Sequence, residues 1–221
     1  PSGPTQPEVT YAVAQRLQDA GLQAENILIF DRWDDELAAA GYRLNIDGPG
    51  IRCHGSRGSG SQLKLSQATV RLHQEIDHCD AIINLPIPRQ HGMAGISVSL
   101  KNHYGSVDRP SVLHGNSCDP GIAELNAQHI IRAKTRLVVG TALELSPTAW
   151  ERPERGDALL LSFDPVALDT VARDMLIRRR QEQGLSSGFL YEASIHLRTA
   201  QSLRVGAPDV ELIDLREVTL G

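Results

Sequence analysis

Apolar residues recur along the chain in two rhythms. Between Pro7 and Ala20 they fall at Val9, Ala12, Val13, Leu17 and Ala20, close to helical spacing, and Gly21 stands where a helix would stop. Short unbroken apolar runs mark strands at Asn26–Phe30, Ala81–Pro86, Arg136–Gly140 and Asp157–Ser162. The run Ala81–Pro86, bounded by Asp80 and by two prolines, is predicted to be a central strand covered on both faces. After Asp119-Pro120 and again after Asp164-Pro165 the helical rhythm returns, each aspartate expected as an N-cap before a proline at the first helical position. A helix over Tyr191–Leu203 and a last edge strand over Val210–Leu215 complete the pattern.

Between these elements the pattern loosens. Asp34 or Asp35 suits the start of a short helix, Glu36–Ala40, while Asp31 stands just past the first strand. Six glycines between Gly41 and Gly60 predict irregular strands joined by turns. Within them Gly55–Ser61 resembles a phosphate cradle but lacks the G-x-x-x-x-G-K-[ST] ending, so it is expected to be a mobile surface loop. The polar stretch Gln67–Cys79 leads into the strand at Ala81, and Glu144–Gly156 reads as a loop. Strands alternating with helices predict one α/β domain over residues 1–221, layered, with a mainly parallel sheet and helices on both faces. The abrupt opening PSGPTQPE, a loop entering a helix directly, raises the expectation of an upstream segment.

Composition narrows the function classes. The 221 residues are 41% hydrophobic with a net charge of −5, which gives no electrostatic footprint for nucleic acid. The run Arg178-Arg179-Arg180 sits at a predicted helix end, where cations complement the dipole. No run is long and apolar enough for a membrane span. Cys53, Cys79 and Cys118 form neither a disulfide framework nor a ferredoxin-type run, so no iron–sulfur cluster is expected.

Candidate chemistry concentrates after the strand at Ala81, beyond whose carboxyl end α/β folds place ligands. Three of the eight histidines, His91, His103 and His114, fall there together with Lys101. Imidazole binds transition metals and moves protons near neutrality, so His91, His103 and His114 are candidate metal ligands. Their separations match no compact metal motif. His91, Lys101 and His103 are candidate catalytic residues, with a histidine as acid or base. Lys101 and Asn102, followed by Gly105, alternatively suit an anionic small molecule. Asp31, Asn102, Asn116 and Asp164 are the expected supporting contacts to a cofactor or ligand. Each histidine taken singly is as readily a hydrogen-bonded structural residue.

The segments DAIINLPI (80–87), HGMAGISVSLKNHYGS (91–106), HGNSCDPGIAELN (114–126), RLVVGTAL (136–143) and LSFDPVALDTVA (161–172) resemble the bacterial and archaeal "domain of unknown function 362" family. Members of that family often carry twin-arginine leaders or ferredoxin cysteines, and commonly a lysine-bearing strand upstream. The resemblance is to the stand-alone type without the cysteines. It implies a periplasmic location where a leader is present, and a cytoplasmic one otherwise. Where the family has a lysine before its first site histidine, this chain has Arg89, and Gly140-Thr141 replaces a common acidic residue. His91, Ala94-Gly95 and Lys101 are also similar in spacing to the nickel-pincer lactate racemase catalytic subunit, which implies a metal or cofactor site. Together these readings predict a site for a metal, cofactor or anion with redox or proton-transfer chemistry. The alternative is a non-catalytic accessory or maturation protein of an exported redox system.

Overall fold

The computed structural model describes residues 4–148 and 153–219. Helix α1 (Pro7–Asp19) leads through a 3₁₀ turn to β1 (Leu28–Phe30), α2 (Asp34–Ala39) and β2 (Arg52–His54). The hairpin β3 (Ser59–Lys64) and β4 (Thr69–His73) is followed by α3 (Gln74–His78) and β5 (Ile82–Asn84). A second hairpin, β6 (Arg89–His91) and β7 (Gly95–Ser97), runs into the four-residue helix α4 (Ser99–Asn102). Three 3₁₀ turns then reach α5 (Gly121–Ala127) and α6 (His129–Arg132). The long strands β8 (Thr135–Leu145) and β9 (Glu154–Ser162) precede α7 (Pro165–Glu182), α8 (Gly188–Ala193) and α9 (Ile195–Ser202).

The chain is α/β, but its sheets are small and mixed rather than one layered parallel sheet. β1 pairs with β2 and β5 with β8 in parallel, whereas β3–β4, β6–β7 and β8–β9 are antiparallel. β5 is therefore an edge strand of a three-stranded sheet ordered β5-β8-β9, not the predicted central strand. The centre is β8, whose Val138 to Ala142 are buried without interruption. β9 alternates half-buried and exposed positions, with Leu161 67% exposed, so its apolar composition does not mark a strand covered on both faces.

Other expectations shift for local reasons. Residues 144–145 and 154–156 of the predicted loop extend β8 and β9, and its middle, 149–152, lies outside the described residues. The predicted helix over Tyr191–Leu203 breaks at Ser194, and only a 3₁₀ turn, Val210–Leu212, forms where the last strand was expected. Helix α5 starts at Gly121 with Pro120 as its N-cap, so Asp119 does not cap it. Asp164 caps α7 as predicted, accepting from Val166 N–H at 2.8 Å and Ala167 N–H at 3.0 Å. Gly55–Ser61 is tied down rather than loose. Its amides at Gly55, Arg57 and Ser61 donate to the carboxylates of Asp34, Glu75 and Asp77 at 2.6–2.7 Å. The chain's own carboxylates thus take the donors that a phosphate would need.

The main core gathers β4, β7, α4, α5, α7 and α9 around Leu72, Ile96, Leu100, Ile122, Leu125, Leu176 and Leu197. A smaller cluster, Ile29, Leu37, Tyr42 and Cys53, lies under the N-terminal elements. Each buried leucine or isoleucine contributes about 1.5–3 kcal/mol. The consequence for function is that α4 sits on the main core.

Candidate functional site

Four residues make a single helical turn, too little to be stable alone. Helix α4 is held from three sides by buried polar side chains. The Asp169 carboxylate on α7 accepts from Ser99 N–H at 2.8 Å and Leu100 N–H at 3.0 Å. Asn84, at the end of β5, donates to the Ser99 carbonyl at 2.9 Å, and Asn126 on α5 donates to the Leu100 carbonyl at 2.8 Å. Asn102 closes the set by donating to Asn84 Oδ1 at 2.7 Å. Burial pushes the Asp169 carboxyl up to about 7, although its two amide donors pull the other way. The DAIIN, SLKN and FDPVALD segments thus meet at one helical turn.

That turn presents Lys101. Its ammonium lies 4.4 Å over the Tyr104 ring and 3.5 Å from His114 Nε2. Burial lowers its pKa, and the one group acting in the other direction is Cys118; no carboxylate does so. His114 is oriented by Nδ1, 3.1 Å from the Pro110 carbonyl, to which it donates, so the Nε2 lone pair faces the lysine. Tyr104 donates its hydroxyl to the Leu113 carbonyl at 2.6 Å and meets His114 edge-on, with ring centroids 5.1 Å apart.

His91 lies beside this pair, its ring centroid 5.9 Å from that of His114. Its Nδ1 accepts from the amides of Met93 and Ala94 at 3.2 and 3.1 Å, which places the proton of the neutral ring on Nε2. Burial first, then Lys101 and His114, push its pKa down to about 4. Of the predicted cluster of His91, Lys101, His103 and His114, the structure places His91, Lys101 and His114 side by side.

Of the remaining candidates, His103, Asp31 and Asn102 line the cleft with Lys101, and Asn116 and Asp164 lie outside it. His103 is 4% exposed, with Nδ1 3.1 Å from Ser106 Oγ, and burial alone takes its pKa to about 4. Asp31 and Asn102 line the same cleft as Lys101. Burial raises the Asp31 pKa despite the Arg32 amide and the Arg89 charge. Asn116 is exposed and donates to the Asp119 carbonyl at 3.1 Å. It begins a left-handed segment with φ of 49°, 57° and 65° at Asn116, Ser117 and Cys118, which turns Cys118 into the core. Asp164 is occupied as the α7 cap and also accepts from Ala207 N–H at 2.8 Å.

Sequence reasoning missed Asp169, Asn84 and Tyr104. A lone amide in the apolar run of β5 and a carboxylate on the apolar side of α7 were the available signs for Asn84 and Asp169. Tyr104 carried no such mark.

The three predicted metal ligands do not fit a metal. Among the described residues no group of three or more His, Cys, Asp or Glu side chains is placed to hold an ion. His91 has given its Nδ1 lone pair to amides and carries a proton on Nε2, while Nδ1 of His103 is engaged with Ser106 Oγ. His114 Nε2 lies 3.5 Å from the Lys101 ammonium.

Lys101, Asn102 and His114 open onto a cleft of about 1360 Å³, also lined by Asp31, Asn84 and Arg89. Fold and site together define an α/β protein with a histidine-bordered cleft onto which Lys101 opens. The chain belongs to the family described as Domain of unknown function (DUF362), whose family model matches residues 1–174. That span includes α4 and Asp169 and ends before α8 and α9. No curated protein and no solved structure matches the chain, so the similarity to nickel-pincer lactate racemase rests on the short motif alone.

Proposed function

We propose that the cleft binds a small anionic molecule through a carboxylate or phosphate group at Lys101, and that the imidazoles beside it exchange a proton with that molecule. The observation that carries this reading is a largely buried ammonium, fixed by an over-determined helical turn, with no carboxylate acting on it. Such a charge is costly until paired, and an anionic ligand supplies the pair. His114 Nε2 holds a lone pair and suits the proton acceptor. His91 Nε2 carries a hydrogen and suits a donor to a ligand oxygen. Asn102 and Asp31 also line this cleft. Binding an anion raises the depressed imidazole pKa values and brings them toward working range.

A non-catalytic accessory protein carrying the same anion would use the same Lys101 contacts and differ only in turnover. Calorimetric titration of inorganic phosphate, acetate and malonate into wild type and Lys101→Met tests the reading. Loss of about tenfold or more in affinity is expected for the variant, the scale of one charge-assisted hydrogen bond. Equal binding by both proteins would refute it.

A further inference from the structure

Arg32 Nε, His73 Nε2 and Glu75 Oε2 are buried atoms without a hydrogen-bond partner. They belong to one neighbourhood, because the segment Ser56-Arg57 ties the three residues together. The Ser56 amide donates to the Arg32 carbonyl at 3.2 Å, Ser56 Oγ lies 2.6 Å from His73 Nδ1, and the Arg57 amide donates to Glu75 Oε1 at 2.7 Å. A second tie runs through Asp108. Its carbonyl accepts from Arg32 Nη2 at 2.6 Å, and it follows Val107, the bridge partner of Leu72, so the guanidinium sits beside the end of β4 that carries His73. Polar atoms left dry and unpaired in this way destabilise the fold until something pairs them.

Two of these residues, Arg32 and Glu75, line the same cleft as Lys101, and so does His54. Glu75 is 9% exposed, with one carboxylate oxygen spent on the Arg57 amide and the other unused. Arg32 is fixed by the Asp108 carbonyl and by the Trp33 ring, 4.7 Å from its guanidinium, so its Nε–H is a positioned donor. His54, 6% exposed, donates from Nδ1 to the Gly55 carbonyl at 2.7 Å, which leaves the Nε2 lone pair of the neutral ring as a further acceptor. The charges decide what fits. A cation would be repelled by Arg32 and an anion by Glu75, whereas a neutral hydroxyl accepts from Arg32 Nε–H and donates to Glu75 Oε2 at once.

We infer that Arg32 and Glu75 form a hydroxyl-binding subsite of the cleft, holding one hydroxyl of the ligand between them, with His54 accepting from a neighbouring one. This rests on the anion reading above and names its class: a sugar phosphate or other polyol phosphate, whose phosphate pairs with Lys101. A cleft of about 1360 Å³ is larger than a bare phosphate or acetate fills.

The test titrates inorganic phosphate, ribose and ribose 5-phosphate into the full chain by calorimetry. Wild type should bind the sugar phosphate at least about tenfold more tightly than phosphate, the scale of hydrogen bonds to charged groups. Glu75→Gln keeps an acceptor for the Arg57 amide but loses the unused carboxylate oxygen, and Arg32→Lys keeps the charge but loses Nε–H. In each, the preference should fall to within about threefold. Equal affinity of wild type for the two phosphates, or a preference that survives both substitutions, would overturn the subsite and mean that a buried water alone pairs these atoms. Phosphate binding that still depends on Lys101 would then leave the anion reading standing. Ribose binding that is lost in Glu75→Gln, with no phosphate binding, would uphold the subsite and overturn the Lys101 reading. No binding of any probe to wild type would overturn both.

Discussion

The Asp169 carboxylate, on a helix 70 residues further along the chain, accepts from the Ser99 amide at 2.8 Å and so fixes the turn on which Lys101 stands. The same carboxylate takes the Leu100 amide, and Asn84 and Asn126 take the carbonyls of the same two residues. A site built in this way transmits the rigidity of the core to one ammonium.

Asp169→Ala removes the acceptor from two buried amides. The expected loss of stability is about 2–5 kcal/mol, each orphaned donor costing about 1–3 kcal/mol. Urea denaturation at pH 7 measures it. A loss under about 1 kcal/mol would show that α4 is held by its apolar contacts instead.

The pH dependence of stability follows from opposed groups. His91, His103 and His196 have folded pKa values of about 4, 4 and 3 against an ordinary 6.5. Their folded rings bind fewer protons than the unfolded ones, so stability is lost as pH falls below about 6.5. Asp169 acts oppositely. Its carboxyl is raised from 3.8 to about 7, so the folded state holds the extra proton and stability from this group falls as pH rises between those values. With His73 and His114 also lowered and Asp31 and Glu36 also raised, five lowered imidazoles outnumber three raised carboxyls, and net acid destabilisation between pH 6.5 and 4.5 is expected. Asp169→Asn, lacking the opposing group, should lose stability more steeply over the same range in urea titrations at successive pH values.

Lys101→Met exchanges a desolvated ammonium for an apolar side chain of similar length. Ligand-free stability is expected to rise by about 1 kcal/mol or more, while anion affinity falls. Thermal melts with and without phosphate separate the two effects. A destabilised variant would mean that the ammonium is already well paired.

Gly95→Ala tests the packing of the His91 hairpin on α8. A methyl group would meet the Leu190 carbonyl and Ser194 Oγ at 2.6 Å, in a backbone region that non-glycine residues avoid. A cost of about 1–3 kcal/mol is expected by chemical denaturation.

Much of this was legible in the sequence. The rhythm of α1, the Asp164 cap of α7 and the polar segment after β5 are local features, and local features show in spacing. A cluster of His91, Lys101, His103 and His114 was also legible, because all four lie within one short segment after a strand, and three of them come side by side. Strand direction and order were not. The apolar run of β9 reads the same whether it is buried or half-exposed, and only its pairing with β8 makes it antiparallel. His103 has the same composition signal as His91, and its seal against Ser106 exists only once the core closes. Asp169 acts on Lys101's helix across 70 residues, a distance at which no motif spacing survives.

The most direct test of the central claim is the pKa of Lys101, followed through its ¹³Cε shift with and without phosphate. The account predicts a value below the ordinary 10.5 in the free protein, raised when phosphate is present, because the anion pairs a charge that burial had disfavoured. A free-protein value at or above 10.5 that phosphate does not move would mean that Lys101 is an ordinary solvated or paired lysine, and would contradict the site.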